Sequence, residues 1–447
     1  MKAWVFSRIG LVLMVVLLAG CAPDEDDVDM HEPVNGDEAV EAIEDATDAP
    51  EPQLDDGVLA GLTADQREFA FSLLKQLGIE HDNVFVSPYS IAAALAMVYA
   101  GADGDTREQM AGTLHFPLED GDLHAAFHRL DRELAARAEV ELEEEGDSFR
   151  LDVVNQTWGH ETFEFRQDYL DLLARYYGAG MRQVDFQTAF EAVREEINDW
   201  VADQTEQRIE DLLPPQSLNA DTRFVLVNAI YFLGSWKHAF DKEGTQDRSF
   251  TRLDGSEVDV PMMRQTARFG HHADEHTLAV SLPYVGDEVE LVAMMPADAS
   301  ADFNSWAGGL DGERFDQVLE AMERQEVALY FPRFESESAF ELADFLGEMG
   351  MVDAFDECAA DFRGITGVEP CIPDRSIYID EIFHKSFVGI DEAGTEAAAA
   401  TAVAMVRVTA MPPEPVEVRF DRPFYYFIHD LPTGAILFAG RMLDPAG

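Results

Sequence analysis

Apolar residues recur through much of the chain at the spacing of a helix. Phe69, Leu73 and Leu77 stand four residues apart, which places them on one helical face. Thr63 and Gln66 stand three residues apart just before this run, as in a capping box. The pattern predicts a helix that begins near Thr63 and opens the folded part of the chain at about residue 61.

Other stretches alternate, or are continuously apolar, over the length of a strand. Residues 153–158 and 416–420 fit strands, and residues 377–383 alternate in the same way. Residues 224–232 are almost all apolar, which is typical of a strand buried on both faces. With a further helical pattern over 90–100, the chain predicts a mixed fold of helices and sheets.

A long, weakly hydrophobic segment lies between two of these strands. It runs from Asp391 to Met411 and is followed by the proline-rich residues 412–415. A compact domain rarely carries so long a connection without a use for it. The segment is therefore the first candidate for a functional element.

Two conformations fit this segment. In an extended strand, side chains alternate between the two faces. One face then carries no charge, and its residues are Thr395, Ala397, Ala399, Thr401, Val403 and Met405. Glu396 lies on the other face, so the strand could enter an existing sheet without burying a charge. Because alanine is the best helix former, residues 397–400 also fit a helix.

The same segment resembles the proximal hinge of inhibitory serpins. The matching residues, with Glu392 at the acidic position before them, are Gly394, Thr395, Glu396, Ala397, Ala398, Ala399, Ala400 and Thr401. In serpins a protease cuts this loop, and the freed end inserts into the main sheet as a new strand. The resemblance therefore implies an irreversible inhibitor of serine proteases that acts as a suicide substrate.

The resemblance extends over residues 61–447. Short motifs recur in the family's order at 83–88, 260–263, 282–284, 294–296, 361–366 and 420–445. They imply an α+β serpin fold. Such a fold has a large mixed central β-sheet, smaller sheets, several helices and an exposed reactive-centre loop.

Five residues outside the loop match family positions that support the opening of the sheet. Ser87, Ser90, Asn228 and His384 match polar positions beneath the strands that separate. Trp236 matches a tryptophan near the point where the loop enters. The resemblance implies structural roles for these side chains.

The resemblance also implies where the loop is cut. The usual loop length, counted from Gly394, places the bond between Val408 and Thr409. Valine suits the small apolar pocket of an elastase-like or subtilisin-like protease. A shift by one residue gives Arg407–Val408, which suits a trypsin-like protease with an acidic pocket. Both stay open, because residues 409–420 are a few longer than the family pattern.

Charge narrows the range of partners. The chain has 88 acidic and 31 basic residues, for a net charge of −57. This balance argues against nucleic acid or an anionic membrane surface as the main partner. Because like charges repel at low salt, we hypothesise a high-salt habitat, where screening is short-ranged. An acidic protein from ordinary surroundings is the alternative.

The N-terminus has the features of an export signal. In residues 1–20, Lys2 and Arg8 precede a short apolar run, and residues 18–21 resemble a bacterial lipoprotein cleavage box. Cys21 would then carry lipid and anchor the protein in the bilayer of the cell envelope. The protein would lie at the outer membrane or cell surface, facing the periplasm or the exterior. An ordinary signal peptide is the alternative.

Residues 21–60 are rich in Asp, Glu, Pro and Ala, which predicts an acidic disordered tether. Two further cysteines, Cys358 and Cys371, lie in a polar stretch of the folded part. Outside the cytoplasm an isolated pair of this kind predicts a disulfide.

Other chemistry finds little support. No hydrolase, metalloprotease, phosphate-binding or dinucleotide-binding motif occurs, so we expect neither an enzyme nor a cofactor. Residues 271–276 combine histidines and carboxylates that could bind a metal, but such a cluster is more often a solvated loop. We expect no metal and a monomer. The competing hypothesis is a serpin-fold protein that binds a ligand without inhibiting a protease.

Overall fold

The computed structural model describes residues 54–80, 83–116, 120–137, 149–178, 180–205, 207–373, 375–395 and 414–447. Residues 1–53, with the predicted signal peptide, Cys21 and most of the tether, lie outside the described residues. The same holds for residues 396–413, with the rest of the hinge and both candidate bonds. None of the helices in the described ranges is long and apolar enough to cross a membrane.

Helices form where apolar residues recur at helical spacing and polar residues cap the first turn. Ser87, for example, accepts a hydrogen bond from the amide of Ser90 at the start of the second helix. The helices are α1 (Asp56–Glu80), α2 (Pro88–Tyr99), α3 (Gly104–Leu114), α4 (Asp120–Arg137), α5 (Gln167–Tyr177), α6 (Phe186–Gln204), α7 (Phe303–Gly308), α8 (Gly312–Glu320), α9 (Ala343–Glu348) and α10 (Arg363–Thr366).

The strands begin at Val84 and end at Met442. They are β1 (Val84–Val86), β2 (Phe149–His160), β3 (Met181–Val184), β4 (Phe224–Ser235), β5 (Gln246–Thr251), β6 (Glu257–Ala273), β7 (Thr277–Pro283), β8 (Val289–Pro296), β9 (Glu323–Pro332), β10 (Phe334–Glu341), β11 (Ile382–Ile390), β12 (Gly394–Thr395), β13 (Val416–Arg419), β14 (Phe424–Asp430) and β15 (Ile436–Met442).

These strands form two sheets. One runs in the order β1-β15-β14-β8-β7-β6-β9-β13, with β5 also paired to β6. The other runs β10-β11-β12-β4-β2-β3. It is mixed, because β2 and β3 are parallel, as are β11 and β4, whereas β2 and β4 are antiparallel. The predicted α+β class with a mixed sheet is confirmed.

Strand β4 is buried on both faces, as its apolar run predicts. Leu226 and Ile230 face the larger core, which also takes in α1 and α2. Val225 and Val227 face a smaller core beneath α6. Because successive side chains of a strand point to opposite faces, one apolar strand serves both cores.

The first helix begins earlier than the sequence predicts. It starts at Asp56, so the predicted helix start near Thr63 is wrong, and residues 56–60 of the predicted tether are helical. The predicted capping box is also wrong. Thr63 lies inside the helix, where its hydroxyl donates to the Thr433 carbonyl. The Gln66 side chain donates to the carbonyl of Leu114.

The predicted strand over 377–383 is wrong in its bounds. Strand β11 begins at Ile382, and the preceding residues pack against other elements. The Ile379 amide donates to the Ala354 carbonyl, and the Glu381 carboxylate accepts from the amides of Ala343 and Ile382. These bonds occupy backbone groups that would otherwise pair with a neighbouring strand.

Cys358 and Cys371 lie in the segment between α9 and β11. Their Sγ atoms are bonded, and their Cα atoms are 4.1 Å apart. The bond closes the segment that contains α10, in which Phe362 and Ile365 are buried.

Candidate functional site: the seam between β4 and β11

Two neighbouring strands of the mixed sheet pair over only part of their length. β11 and β4 pair in parallel from Ile382 with Leu226 to Lys385 with Ala229. Beyond this point β12 lies between them, with Thr395 opposite both Ile390 and Gly234. Between these contacts, residues 386–389 and 230–233 face each other with no strand of the described ranges between them. We call this line of separation the seam.

Gly394 enters the seam where no larger residue fits. A Cβ atom at this position would collide with the carbonyl oxygen of Gly234 and lie 2.8 Å from the Cα of Ser235. The turn before it is held by Asp391, whose carboxylate accepts from the amides of Ala393 and Gly394 at 2.7 and 3.1 Å. The glycine of the predicted hinge is therefore required by backbone contact.

Thr395 is buried at the upper end of the seam, with 1% of its surface exposed. Its hydroxyl is 2.8 Å from the hydroxyl of Tyr284. That ring stacks on Trp236, with centroids 4.5 Å apart. Burial raises the pKa of Tyr284 far above its usual value, although the bond to Thr395 lowers it slightly. The two hydroxyls are therefore neutral, and neither would balance the charge of an ionised side chain at position 395.

Trp236 holds the backbone just before Gly394 in place through two hydrogen bonds. Its indole Nε1 donates to the carbonyl of Asp391 at 2.9 Å, and its amide donates to the carbonyl of Ala393 at 2.8 Å. The sequence comparison places this tryptophan near the loop entry, and the structure places it directly against residues 391–393.

Glu392 is a buried carboxylate with 3% of its surface exposed. The Thr245 hydroxyl donates to it at 2.6 Å, and an Arg333 guanidinium nitrogen lies 3.5 Å away. A cleft of about 840 Å³ opens beside it, lined in part by Arg333 and Lys242. Since an unpaired buried charge is costly, these partners are what allow an acidic residue here.

The lower end of the seam is closed by buried polar side chains. His384 Nδ1 lies 2.8 Å from the Asn228 side-chain oxygen, and His384 Nε2 accepts from the Ser87 amide at 3.2 Å. The proton is therefore on Nδ1. The Asn228 side-chain nitrogen donates to the Ser90 carbonyl at 2.9 Å and to Asn155 at 2.7 Å. Burial lowers the pKa of His384 to about 3.

This network joins four elements at one point: α2, β2, β4 and β11. It brings together the predicted residues Ser87, Ser90, Asn228 and His384 directly beneath the parallel pairing of β4 and β11. The fifth predicted residue, Trp236, lies at the other end of β4. The two groups therefore mark the two ends of the seam.

One face of the seam is covered by α6 and the residues that follow it. Phe383 of β11, Val227 of β4 and Ile197 of α6 belong to one apolar cluster. The Lys385 ammonium group donates to the carbonyl of Glu210 at 2.8 Å. A further strand between β4 and β11 would have to displace these contacts.

Sequence reasoning missed several residues of the site. Tyr284, Thr245 and Arg333 come from distant parts of the chain, so no local pattern connects them to the hinge. Asp391 is visible in the sequence, yet its role as a turn clamp follows only from geometry. Asn155 has the appearance of a glycosylation acceptor in the sequence, whereas the structure places its side chain in the polar network.

The histidine cluster at 271–276 is internally bonded. The Asp274 carboxylate bonds to Arg314 and to His272, and it accepts from the amides of His276 and Thr277. Although partial burial would raise it, these bonds hold the pKa of Asp274 well below its usual value. Within the described ranges, no group of His, Cys, Asp and Glu side chains has the geometry to hold a metal ion.

The chain is similar to known proteins along nearly all of its described length. The family model for serpins, described as serine protease inhibitors, matches residues 64–445. Serpin B6 of Macaca fascicularis is 38% identical over 387 residues, covering 84% of this chain and 97% of that protein. Leukocyte elastase inhibitor A of Rattus norvegicus is 36% identical over 370 residues, covering 81% and 93%.

A solved structure supports the same assignment. The thermophilic serpin tengpin in its native state has a TM-score of 0.76 and 27% identity, covering 89% of this chain and 96% of that chain. With this coverage in both sequence and structure, the chain belongs to the serpin family.

Proposed function

We propose that this protein inhibits serine proteases irreversibly, by offering residues 396–413 as a substrate loop and then inserting the cut loop into the seam. The proposal is carried by one observation: Gly394 and Thr395 already lie between β4 and β11, where both pair with β4 and Thr395 also pairs with β11. A strand continued from Thr395 would meet residues 386–389 and 230–233, which do not pair with each other across the seam.

The chemistry begins as ordinary substrate cleavage. A serine protease attacks the carbonyl carbon of the scissile residue and becomes esterified to it, while the new amino terminus leaves. If the loop inserts before water attacks, the esterified protease is carried along. From Gly394 to Val408 an extended strand spans roughly 45–50 Å, so the protease would travel the length of the sheet. A protease distorted by this displacement cannot complete deacylation.

Insertion is favourable because it forms a new ladder of hydrogen bonds and buries apolar side chains. Val403 and Met405 would each contribute roughly 1.5–3 kcal/mol if fully buried. The small residues near the hinge would fit the narrow part of the seam. The opposing cost is the displacement of contacts between Phe383, Lys385 and the segment after α6.

The favoured target is an elastase-like or subtilisin-like protease that cuts between Val408 and Thr409. The name of the rat relative, leukocyte elastase inhibitor, supports this class. Cleavage between Arg407 and Val408 by a trypsin-like protease is the second possibility. Mass spectrometry of the cut protein distinguishes them, and a cut at neither bond refutes both.

The function is tested by incubating the protein with elastase, subtilisin and trypsin and separating the products in SDS. We expect a covalent complex with at least one protease, in which each molecule of inhibitor consumes about one molecule of protease. Cleavage of the loop by all three without such a complex would contradict inhibition and favour a ligand-binding serpin.

We also propose that the mature protein is a monomer anchored to the cell envelope by lipid on Cys21. Labelled palmitate should be incorporated into the wild-type protein expressed in a bacterium, and Cys21→Ser should abolish incorporation and release the protein from membranes. Equal labelling of both would contradict the anchor.

A further inference from the structure

Three arginines converge on one tyrosine ring in the nine-stranded sheet. The guanidinium carbons of Arg248, Arg264 and Arg419 lie 5.0, 5.4 and 4.1 Å from the centroid of Tyr330. Although Tyr330 stands among exposed and half-buried arginines, only 6% of its surface is exposed. We call Arg248, Arg264, Arg419 and Tyr330 the arginine cluster.

The register of the sheet produces this arrangement. Arg264 of β6 and Arg419 of β13 lie directly opposite Tyr330, one on each side of β9. Arg248 reaches the ring from β5. The aromatic face attracts guanidinium groups and orients them, so the three side chains are held in place before any partner arrives.

Few carboxylates balance these charges. Glu417 bonds to Arg419 at 2.8 Å. That bond and the nearby Arg264 and Arg248 lower the pKa of Glu417, which therefore stays ionised. Neither Arg248 nor Arg264 has a carboxylate partner in the part of the chain that the structure describes. In a protein with a net charge of −57, these three guanidinium groups have one bonded carboxylate, Glu417, and one more distant carboxylate, Asp421, that acts on Arg419.

The arginine cluster lies close to the proposed substrate loop. Strand β13 begins at Val416, only seven residues after Thr409. Since an extended chain spans at most about 3.6 Å per residue, Arg419 is within about 40 Å of both candidate bonds. A protease domain of about 230 residues is roughly 45 Å across. A protease bound at Val408 or Arg407 therefore has room to contact the arginine cluster with its own surface.

We propose that the arginine cluster is a second contact surface for the target protease, and that it binds a carboxylate-rich patch beside the protease's active site. This rests on the proposed function, because it presumes that the loop is a protease substrate. The guanidinium groups of the arginine cluster would attract carboxylates of an acidic protease at short range, although the net negative charge of the whole molecule repels that protease. Because the Debye length falls to about 3 Å at 1 M salt, this attraction should act in high salt only across direct guanidinium–carboxylate contacts, and it should be strongest in low salt.

The test compares two proteases and two variants. Anionic and cationic trypsin share a specificity for arginine and differ in surface charge, and their serine-to-alanine forms bind without cleaving. Arg264→Ser removes one guanidinium of the arginine cluster. Arg324→Ser is the matched control, since it removes another exposed arginine from the same strand pair about 20 Å further along β9.

We expect Arg264→Ser to weaken the binding of inactive anionic trypsin about tenfold in low salt, with a loss that shrinks as salt is added. The affinity for cationic trypsin should stay the same or improve, and Arg324→Ser should change neither by more than about twofold. Equal losses for the two trypsins, or for the two variants, would overturn the proposal.

Two further outcomes separate this proposal from others. If active anionic trypsin cuts the loop without forming an SDS-stable complex, while the difference between variants persists, the proposed function fails and the second contact surface stands. If a sulfated polysaccharide accelerates inhibition by the wild type and not by Arg264→Ser, the arginine cluster binds a polyanion, and the proposal is wrong.

Discussion

The two ends of the seam are held by different kinds of contact. At the lower end, β4 and β11 bond to each other directly, and a buried polar network ties them to α2 and β2. At the upper end the same strands are separated, and the contacts belong to the hinge: Thr395 with Tyr284, Asp391 with Trp236, and Glu392 with Thr245. The sheet is thus closed by its own residues at one end and by the loop at the other.

This difference indicates a direction for insertion. A strand that enters from Thr395 first meets the separated part of the seam and only then the part that is paired. Before the last residues insert, the ladder from Ile382 to Lys385 must separate, and the polar network with it. We therefore expect changes at the upper end to alter inhibition and changes at the lower end to alter stability.

The largest effect is expected for Thr395→Arg. A guanidinium group cannot be buried against Tyr284 without a partner, and leaving it so would cost several kcal/mol. Insertion should fail while cleavage continues, so the variant becomes a substrate and its complex in SDS disappears. Thr395→Ser keeps the hydroxyl and should still form the complex. A complex of normal yield from Thr395→Arg would show that this residue does not enter the sheet.

Asn228→Ala should have the next largest effect. It leaves His384, Asn155 and the Ser90 carbonyl without a shared partner, which we expect to lower the free energy of unfolding by about 3 kcal/mol. Asn304→Ala, at an exposed asparagine whose side chain accepts a hydrogen bond from Arg441, is the control and should cost less than about 1 kcal/mol. Unfolding in guanidinium chloride measures both. Similar losses would mean that the network does not hold the lower end.

Acid should weaken the lower end through His384. Its pKa is about 3 in the folded protein and near 6.5 in an unfolded chain, so between these values the unfolded chain binds the proton more readily. The stability that neutral His384 contributes is fully present above about pH 6.5. Below that pH the free energy of unfolding falls by about 1.4 kcal/mol per pH unit. Between pH 6.5 and 4.5 the free energy of unfolding of the wild type should fall by about 2 kcal/mol more than that of His384→Gln. If the two proteins lose stability in parallel as the pH falls, His384 is not the group responsible.

The smallest effect is expected for Arg333→Ala. Glu392 would keep its hydrogen bond from the Thr245 hydroxyl and would lose the positive charge of the Arg333 guanidinium group. Because the Arg333 side chain is about half exposed, solvent already screens the ion pair. We therefore expect the free energy of unfolding to fall by only about 1 kcal/mol. Arg324→Ala serves as a control for the removed charge. A loss as large as that of Asn228→Ala would mean that the upper end is stabilised as firmly as the lower.

Prediction from the sequence succeeded at positions where the residue type itself determines the local geometry. Gly394 is one such case, because no other residue fits against Gly234. The apolar run of β4 is another. The alanines at 397–400 show how little a local pattern can decide, since their composition alone favours a helix. There the resemblance to serpins, and not the periodicity, favoured the strand.

What the sequence did not predict depends on distant contacts. Thr395 and Tyr284 are separated by 111 positions, and their bond appears only after the sheets form. The start of α1 was placed too late because Thr63 and Gln66 mimic a cap, whereas their side chains bond to residues 433 and 114. Residues 377–381 alternate like a strand but bond to Ala354 and Ala343 instead.

Thermal unfolding of the intact and the loop-cleaved protein tests the central claim most directly. If the cut loop becomes a full strand between β4 and β11, about ten new hydrogen bonds of about 1 kcal/mol each should raise the melting temperature by about 12 °C or more, since a domain of this size gains about 1 °C per kcal/mol. A cleaved protein that melts at or below the temperature of the intact one would contradict insertion, and with it the proposed inhibition.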